Sequence, residues 1–119
     1  MAEAFGEFVR QRREALREKD PQRFSVRQVA ARIDVEPSYR SKVERGEQPP
    51  PSEATVVALA RELDEDPDVL LALAGKVSSD LLAIIRKRPT LFAELIRELK
   101  KMPDHAVLRL VREVRDGDW

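Results

Sequence analysis

The chain of 119 residues has no cysteine, a single histidine and only four glycines. Without cysteine there is neither a disulfide framework nor a thiolate metal site, as expected of a chain held in a reducing cytoplasm. His105 has no thiol or second imidazole to work with. No glycine-rich phosphate loop, nucleophile elbow or metal-ligand spacing is present, so no catalytic residue, cofactor or metal is expected. Aromatic residues make up 5% and charged residues 37%. That balance suits amphipathic helices with small aliphatic cores and not a β-sandwich. No apolar run approaches the roughly 20 residues of a membrane span. The opening MAEAFGEF carries acid where a secretory leader needs base. Neither charge is in surplus: 22 Lys and Arg face 22 Asp and Glu. A basic excess is the usual footprint of nucleic-acid binding, and its absence argues at first against that class.

Glycine and proline punctuate a chain that otherwise reads as helix, and the fold class is all-α. Phe5, Phe8, Val9 and Leu16 share one face of a first helix ending near Lys19. Ser25, with Gln28 three residues on, forms a capping-box pattern for the second helix, whose buried face is Val26, Val29, Ala30 and Ile33. Asp34-Val35-Glu36 is a tight turn. Pro37 suits the first position of the third helix and Gly46 the residue after it. Ser52 should cap the fourth helix, Asp66-Pro67 opens the fifth, and Gly75 closes it. Beyond residue 75 the spacing predicts about three more helices, capped by Ser79, Thr90 and Asp104. These 44 residues are too few to build an independent core with ease, so they should lie on the first five helices, on a second subunit, or on both.

The stretch Phe24 to Leu73 carries the motif. A capped helix, a three-residue turn and a second helix opened by proline make a helix-turn-helix pattern. Ala30 lets the following helix cross closely, while Val35 and Val43 wedge the pair at a fixed angle. The second helix can then project into a DNA major groove. Over residues 5–75 the chain resembles the Cro/repressor-type (Xre-like) helix-turn-helix family. The residues that carry the likeness are Ser25, Val29-Ala30, Val35, the SYRSKVERG string at 38–46, Pro51-Ser52 and Leu59-Ala60. The resemblance implies a five-helix lambda-repressor-like DNA-binding domain over residues 1–75, with 76–119 as a helical extension for dimerisation or partner binding. It further implies a cytoplasmic transcriptional regulator, a homodimer on double-stranded DNA and a repressor.

Carried over position by position, the resemblance assigns base contact to Ser38, Ser41, Lys42 and Arg40. It assigns phosphate contact to Ser25, Arg27, Gln28, Tyr39 and Arg45, with Arg10, Arg13 and Arg17 behind them. It implies a structural ion pair between Glu44 and an arginine of the first helix, assigned to Arg13 with Arg17 as second choice. The chain departs from the family pattern at Val26, Glu36, Pro37 and Arg40. The last stands where an aliphatic residue is usual, and groove contact, snorkelling along the core and pairing with an acid remain open for it. In the extension, Leu91, Phe92, Leu95, Ile96, Leu99, Val107, Val111 and Trp119 are the candidate dimer or partner interface. Arg86-Lys87-Arg88 reads as a basic last turn that complements a helix dipole. The alternative function is an antitoxin or adaptor module whose partner is a toxin or peptidase. Charge is unevenly spread: residues 1–46 hold eleven Lys/Arg against eight Asp/Glu, and residues 47–119 eleven against fourteen. The zero balance therefore conceals a mildly basic reader and predicts modest, salt-sensitive DNA binding.

Overall fold

The turn residues divide the chain into eight helices in a computed structural model that describes residues 2–119, with side chains from Ala4 onward. They are α1 (Ala2–Lys19), α2 (Val26–Arg32), α3 (Pro37–Glu44), α4 (Glu53–Glu62), α5 (Pro67–Leu73), α6 (Ser79–Lys87), α7 (Pro89–Lys100) and α8 (Asp104–Asp116). Among the described residues there is no strand, and no helix is long and apolar enough to cross a membrane. Two compact units result, Met1–Ser78 and Ser79–Trp119.

The first unit is built around the apolar faces of α1 to α5. Phe5 and Val9 of α1, Val29 and Ala30 of α2, Val43 of α3, Val56, Leu59 and Ala60 of α4, Leu63, and Leu70 and Leu71 of α5 are all buried. Helices α2 and α3 form the helix-turn-helix pair, and α1 lies against α3 while α4 packs on α5. Gly6 permits the α1–α3 crossing. A Cβ there would stand 2.7 Å from the Glu44 carbonyl oxygen and closer still to that of Val43. No periodicity in the sequence announces that approach.

Four consecutive helices end in the same way. A residue two beyond each helix's last turn returns its N–H to a carbonyl five residues back: Val35 to Ala30, Glu47 to Lys42, Glu65 to Ala60 and Lys76 to Leu71, at 2.8–3.0 Å. This Schellman arrangement requires a left-handed residue just before. Gly46 supplies it after α3 with φ 75°, while Asp34 and Asp64 supply it after α2 and α4 with φ 60° and 55°. The chain contains no asparagine, and aspartate is the remaining side chain that tolerates this region best.

Polar side chains then tie the helix ends together. Arg12 donates to the Leu63 carbonyl at 3.0 Å and lies 3.3 Å from Glu65. Arg32 pairs with Glu62. Lys76 donates to the Pro51 carbonyl at 3.1 Å, anchoring the proline tract. The Phe24 ring meets two guanidinium groups, Arg23 at 5.7 Å and Arg32 at 5.6 Å from its centre, cation–π contacts that help hold the α1–α2 connection.

The second unit comprises α6, α7 and α8, and none of its residues is buried. Its caps differ from expectation. Ser79 is the first residue of α6, not its cap; α7 starts at Pro89, not after Thr90; and Asp104 is the first residue of α8, behind Pro103. Proline's fixed φ favours the first helical position, and a carboxylate inside the first turn meets the positive end of the dipole without capping. Ser52 stands at the start of α4 with extended backbone, yet its hydroxyl meets Thr55 Oγ1 at 3.4 Å and no backbone N–H. Leu91, Leu95, Ile96, Leu108, Val111 and Val114 remain exposed. Between α7 and α8 opens a cleft of about 390 Å³ lined by Leu95, Leu99, Val107, Leu110, Val111, Val114 and Arg115.

Gly6→Ala tests the close crossing. A methyl group intrinsically favours helix by about 1 kcal/mol, but here it collides with backbone. Net destabilisation of about 1–3 kcal/mol is expected, read as a lower urea midpoint at unchanged slope.

Candidate nucleic-acid interface

The geometry of the helix-turn-helix pair begins at Ser25. Its hydroxyl accepts from the Gln28 N–H at 3.2 Å, fixing the start of α2. The turn through left-handed Asp34 delivers the chain to Pro37, which opens α3 with Glu36 in the cap position and no side-chain capping bond. On α3, Val43 and Glu44 face inward, while Pro37, Ser38, Lys42 and the following Arg45 are exposed and Tyr39 and Ser41 half-exposed. Ser38 and Lys42, one turn apart, share one outer face. Arg27 and Gln28 are exposed on α2, and Ser25 is partly covered. Arg10 and Arg17 are exposed on α1.

Arg40 does not join this face. It is 2% exposed and turned into the α1–α3 interface, which corrects the expectation of a base contact. The physical reason is Glu44, one turn later on the same helix. Arg40 Nη1 lies 2.9 Å from Glu44 Oε2, a charge contact without directed hydrogen-bond geometry, since all three guanidinium nitrogens of Arg40 lack a hydrogen-bond partner. Burial pulls this guanidinium below the usual arginine range; the charge of Glu44 opposes that and the charge of Arg13 adds to it.

Arg13 and Glu44 make the better-formed pair. Arg13 Nε donates to Glu44 Oε2 at 2.7 Å and Nη2 to Oε1 at 2.9 Å, and Nη1 donates to the Phe24 carbonyl at 3.1 Å. One guanidinium thereby joins α1, the α1–α2 connection and the end of α3. With Arg13 4% and Glu44 7% exposed, the Arg13–Glu44–Arg40 cluster encloses two positive charges and one negative behind the outer face of α3.

That outer face has an internal constraint as well. Arg45 donates through Nη1 to Ser41 Oγ at 2.7 Å and holds Glu47 in a fork, Nε to Oε1 at 3.2 Å and Nη2 to Oε2 at 3.0 Å. Glu47 drew no notice in the sequence, because it lies outside the helix and follows no period. The i, i+4 spacing of Arg40 and Glu44 was a usable signal.

Charge is distributed differently from the sequence split. Residues 47–78 hold two Lys/Arg against seven Asp/Glu, and residues 79–119 nine against seven. The acidic balance therefore belongs to the α4–α5 side of the first unit, and the second unit is +2. Among the described residues no cluster of three His, Cys, Asp or Glu is arranged to hold a metal ion.

The buried cluster makes a divided prediction. Glu44→Gln leaves two buried guanidinium groups without a counter-charge and should cost about 3–5 kcal/mol of stability. Arg40→Met removes a cation whose nitrogens lack hydrogen bonds. Stability should then be unchanged or raised, by up to about 1–4 kcal/mol. Chemical denaturation of both variants checks the contrast.

A model of the helix-turn-helix domain family matches residues 4–73, more than half of the chain and all but a few residues at either end of the first unit. No curated protein and no solved structure matches. With the family model spanning α1 to α5 and a capped α2, a tight turn and an outward α3 inside it, the chain belongs to the helix-turn-helix domain family, whose members bind DNA.

Proposed function

We propose that the protein is a sequence-specific transcriptional regulator of Xre-like type, a cytoplasmic repressor that reads the major groove with α3. The observation that carries this reading is the division of α3 into two faces. One is locked to α1 through Arg13 and Glu44; the other presents Ser38, Ser41, Lys42 and Arg45. A helix held that rigidly keeps its outer side chains in register with base edges, which is what direct readout needs. Lys42 donates to guanine O6/N7, and Ser38, one turn earlier on the same face, reaches the neighbouring edge. Ser25, Arg27, Gln28, Tyr39 and Arg45 meet the phosphates that set position. Arg40 has no part in this contact.

In this reading the second unit brings two copies together through Leu91, Phe92, Leu95, Ile96, Leu99, Val107, Val111 and Trp119. Support comes from a unit with no buried residue and a row of exposed aliphatic side chains; 41 residues rarely hold together without such a partner. Paired recognition helices would lie about 34 Å apart and favour a pseudo-palindromic site. A second reading is favoured by the same cleft between α7 and α8: an adaptor or antitoxin in which another protein, a toxin or peptidase, occupies that face.

Polarisation titrations against the DNA upstream of its own gene and against a scrambled duplex test the reading. Lys42→Ala should cost about 1–3 kcal/mol on the preferred site alone if it reads a base pair. If it meets phosphate only, the loss is uniform and the salt slope falls by about 0.9. Leu95→Asp with Val111→Asp should give a monomer by sedimentation and weaken binding to a palindrome far more than to a half-site. A protein that remains dimeric excludes this face as the dimer contact.

A further inference from the structure

We infer that the Glu47 carboxylate occupies, in the free protein, the seat that Arg45, braced by Ser41, offers to a DNA backbone phosphate. The inference rests on the groove-binding reading of α3 and adds to it an internal competitor for the DNA. One side chain expected at DNA holds this acid, and a second braces the first. Arg45 engages it with both arms of its fork, the third guanidinium nitrogen is steadied by Ser41 Oγ, and the positive charge of Lys42 also acts on it. A bidentate guanidinium–carboxylate pair has the same planar geometry as a guanidinium–phosphate pair, so one anion can replace the other without moving Arg45.

The backbone fixes the point at which the Glu47 side chain leaves the main chain. Left-handed Gly46 turns the chain, and the Glu47 N–H donates to the Lys42 carbonyl at 2.9 Å. This places an acidic residue just past the C-terminus of α3, the end of the helix dipole that disfavours negative charge. The compensating interaction is Arg45, whose hydrogen bonds and charge hold Glu47 below the usual carboxylate range while Glu47 holds Arg45 above the usual arginine range. Both side chains are about half exposed. The pair is thus open to an incoming strand, and an exposed ion pair of this kind contributes little to folding.

Two consequences follow for DNA binding. Any duplex must displace Glu47 before Arg45 can neutralise a phosphate, which lowers affinity for every sequence alike. That cost falls equally on a preferred site and on a random sequence, so it weakens both and leaves their ratio unchanged. In the free protein Arg45 already has an internal counter-charge, and the strand it binds sheds fewer net charges than the number of contacts suggests.

The test is the full-length protein and its Glu47→Gln variant, titrated by polarisation against a preferred duplex and a scrambled duplex between low and physiological salt. Glu47→Gln should tighten binding to both by about three- to tenfold at low salt. It should leave their ratio unchanged and steepen the log–log salt slope by about 0.9. The gain should vanish in an Arg45→Ala background, as expected of residues acting as one pair. Thermal melts of the variant should match the parent. If the parent binds DNA and Lys42→Ala weakens it, yet Glu47→Gln leaves affinity and slope unchanged, the phosphate seat is overturned and the groove reading stands. A Glu47→Gln variant that binds more weakly also overturns the inference, because Glu47 is then a direct contact, for instance to a cytosine amino group. If parent and variant both ignore every duplex, the groove reading and the phosphate seat fail together.

Discussion

The arrangement of the first unit depends on a single buried carboxylate. Glu44 accepts both arms of Arg13, whose remaining nitrogen holds the Phe24 carbonyl. Removing two charges from water is costly, and a buried pair of this kind returns the cost only when its geometry is nearly complete. The Arg13–Glu44 pair meets that condition. Arg40 does not; it adds a second cation to an acid that is already satisfied. Such a cluster contributes less to total stability than to uniqueness, since only one register of α1 against α3 brings Arg13, Phe24 and Glu44 together. Gly6 serves the same register by allowing the backbones to touch. The angle of α3 within the first unit follows from these two features.

Stiffness is also supplied at the helix ends. Four successive Schellman closures leave few free carbonyls between α2 and α5, and the arginines of α1 and α2 pair with the acids at the end of α4. The acidic residues that cancel the basic count of residues 1–46 are therefore partly spent on internal ties. A net charge of zero then says little about the surface near α3, where charge is governed by Lys42, Arg45 and the acid that Arg45 holds.

Much of the fold was legible because its determinants are local. Ser25 with Gln28, Pro37, Gly46 and Asp66-Pro67 all mark boundaries through backbone chemistry that operates within a few residues, and the structure has them in those roles. Features that depend on distant partners were not legible. Gly6 matters only because α3 passes over it. Phe24 acquires its second cation from Arg32, on the far side of the Ser25 cap. Arg40 looked like a groove residue by position, although its spacing to Glu44 already offered an inward alternative. In the second unit, Thr90 and Asp104 are good capping types, but a neighbouring proline took precedence at each helix start. The outer residues of α3 were readable as a set by resemblance; Glu47 was not, since an acid in a loop carries no pattern.

The aromatic residues are few and unevenly placed. Tyr39 is the one tyrosine and lies on α3, while Trp119 is the one tryptophan, 92% exposed at the end of the second unit with its indole N–H on the Val114 carbonyl. Intrinsic fluorescence excited at the red edge of the indole band therefore reports on the second unit alone, and tyrosine emission on α3. The two units carry separate optical labels without any added dye. A melting curve followed by tryptophan emission describes the α6–α8 helices and is silent about the part of the molecule that holds the DNA-binding motif.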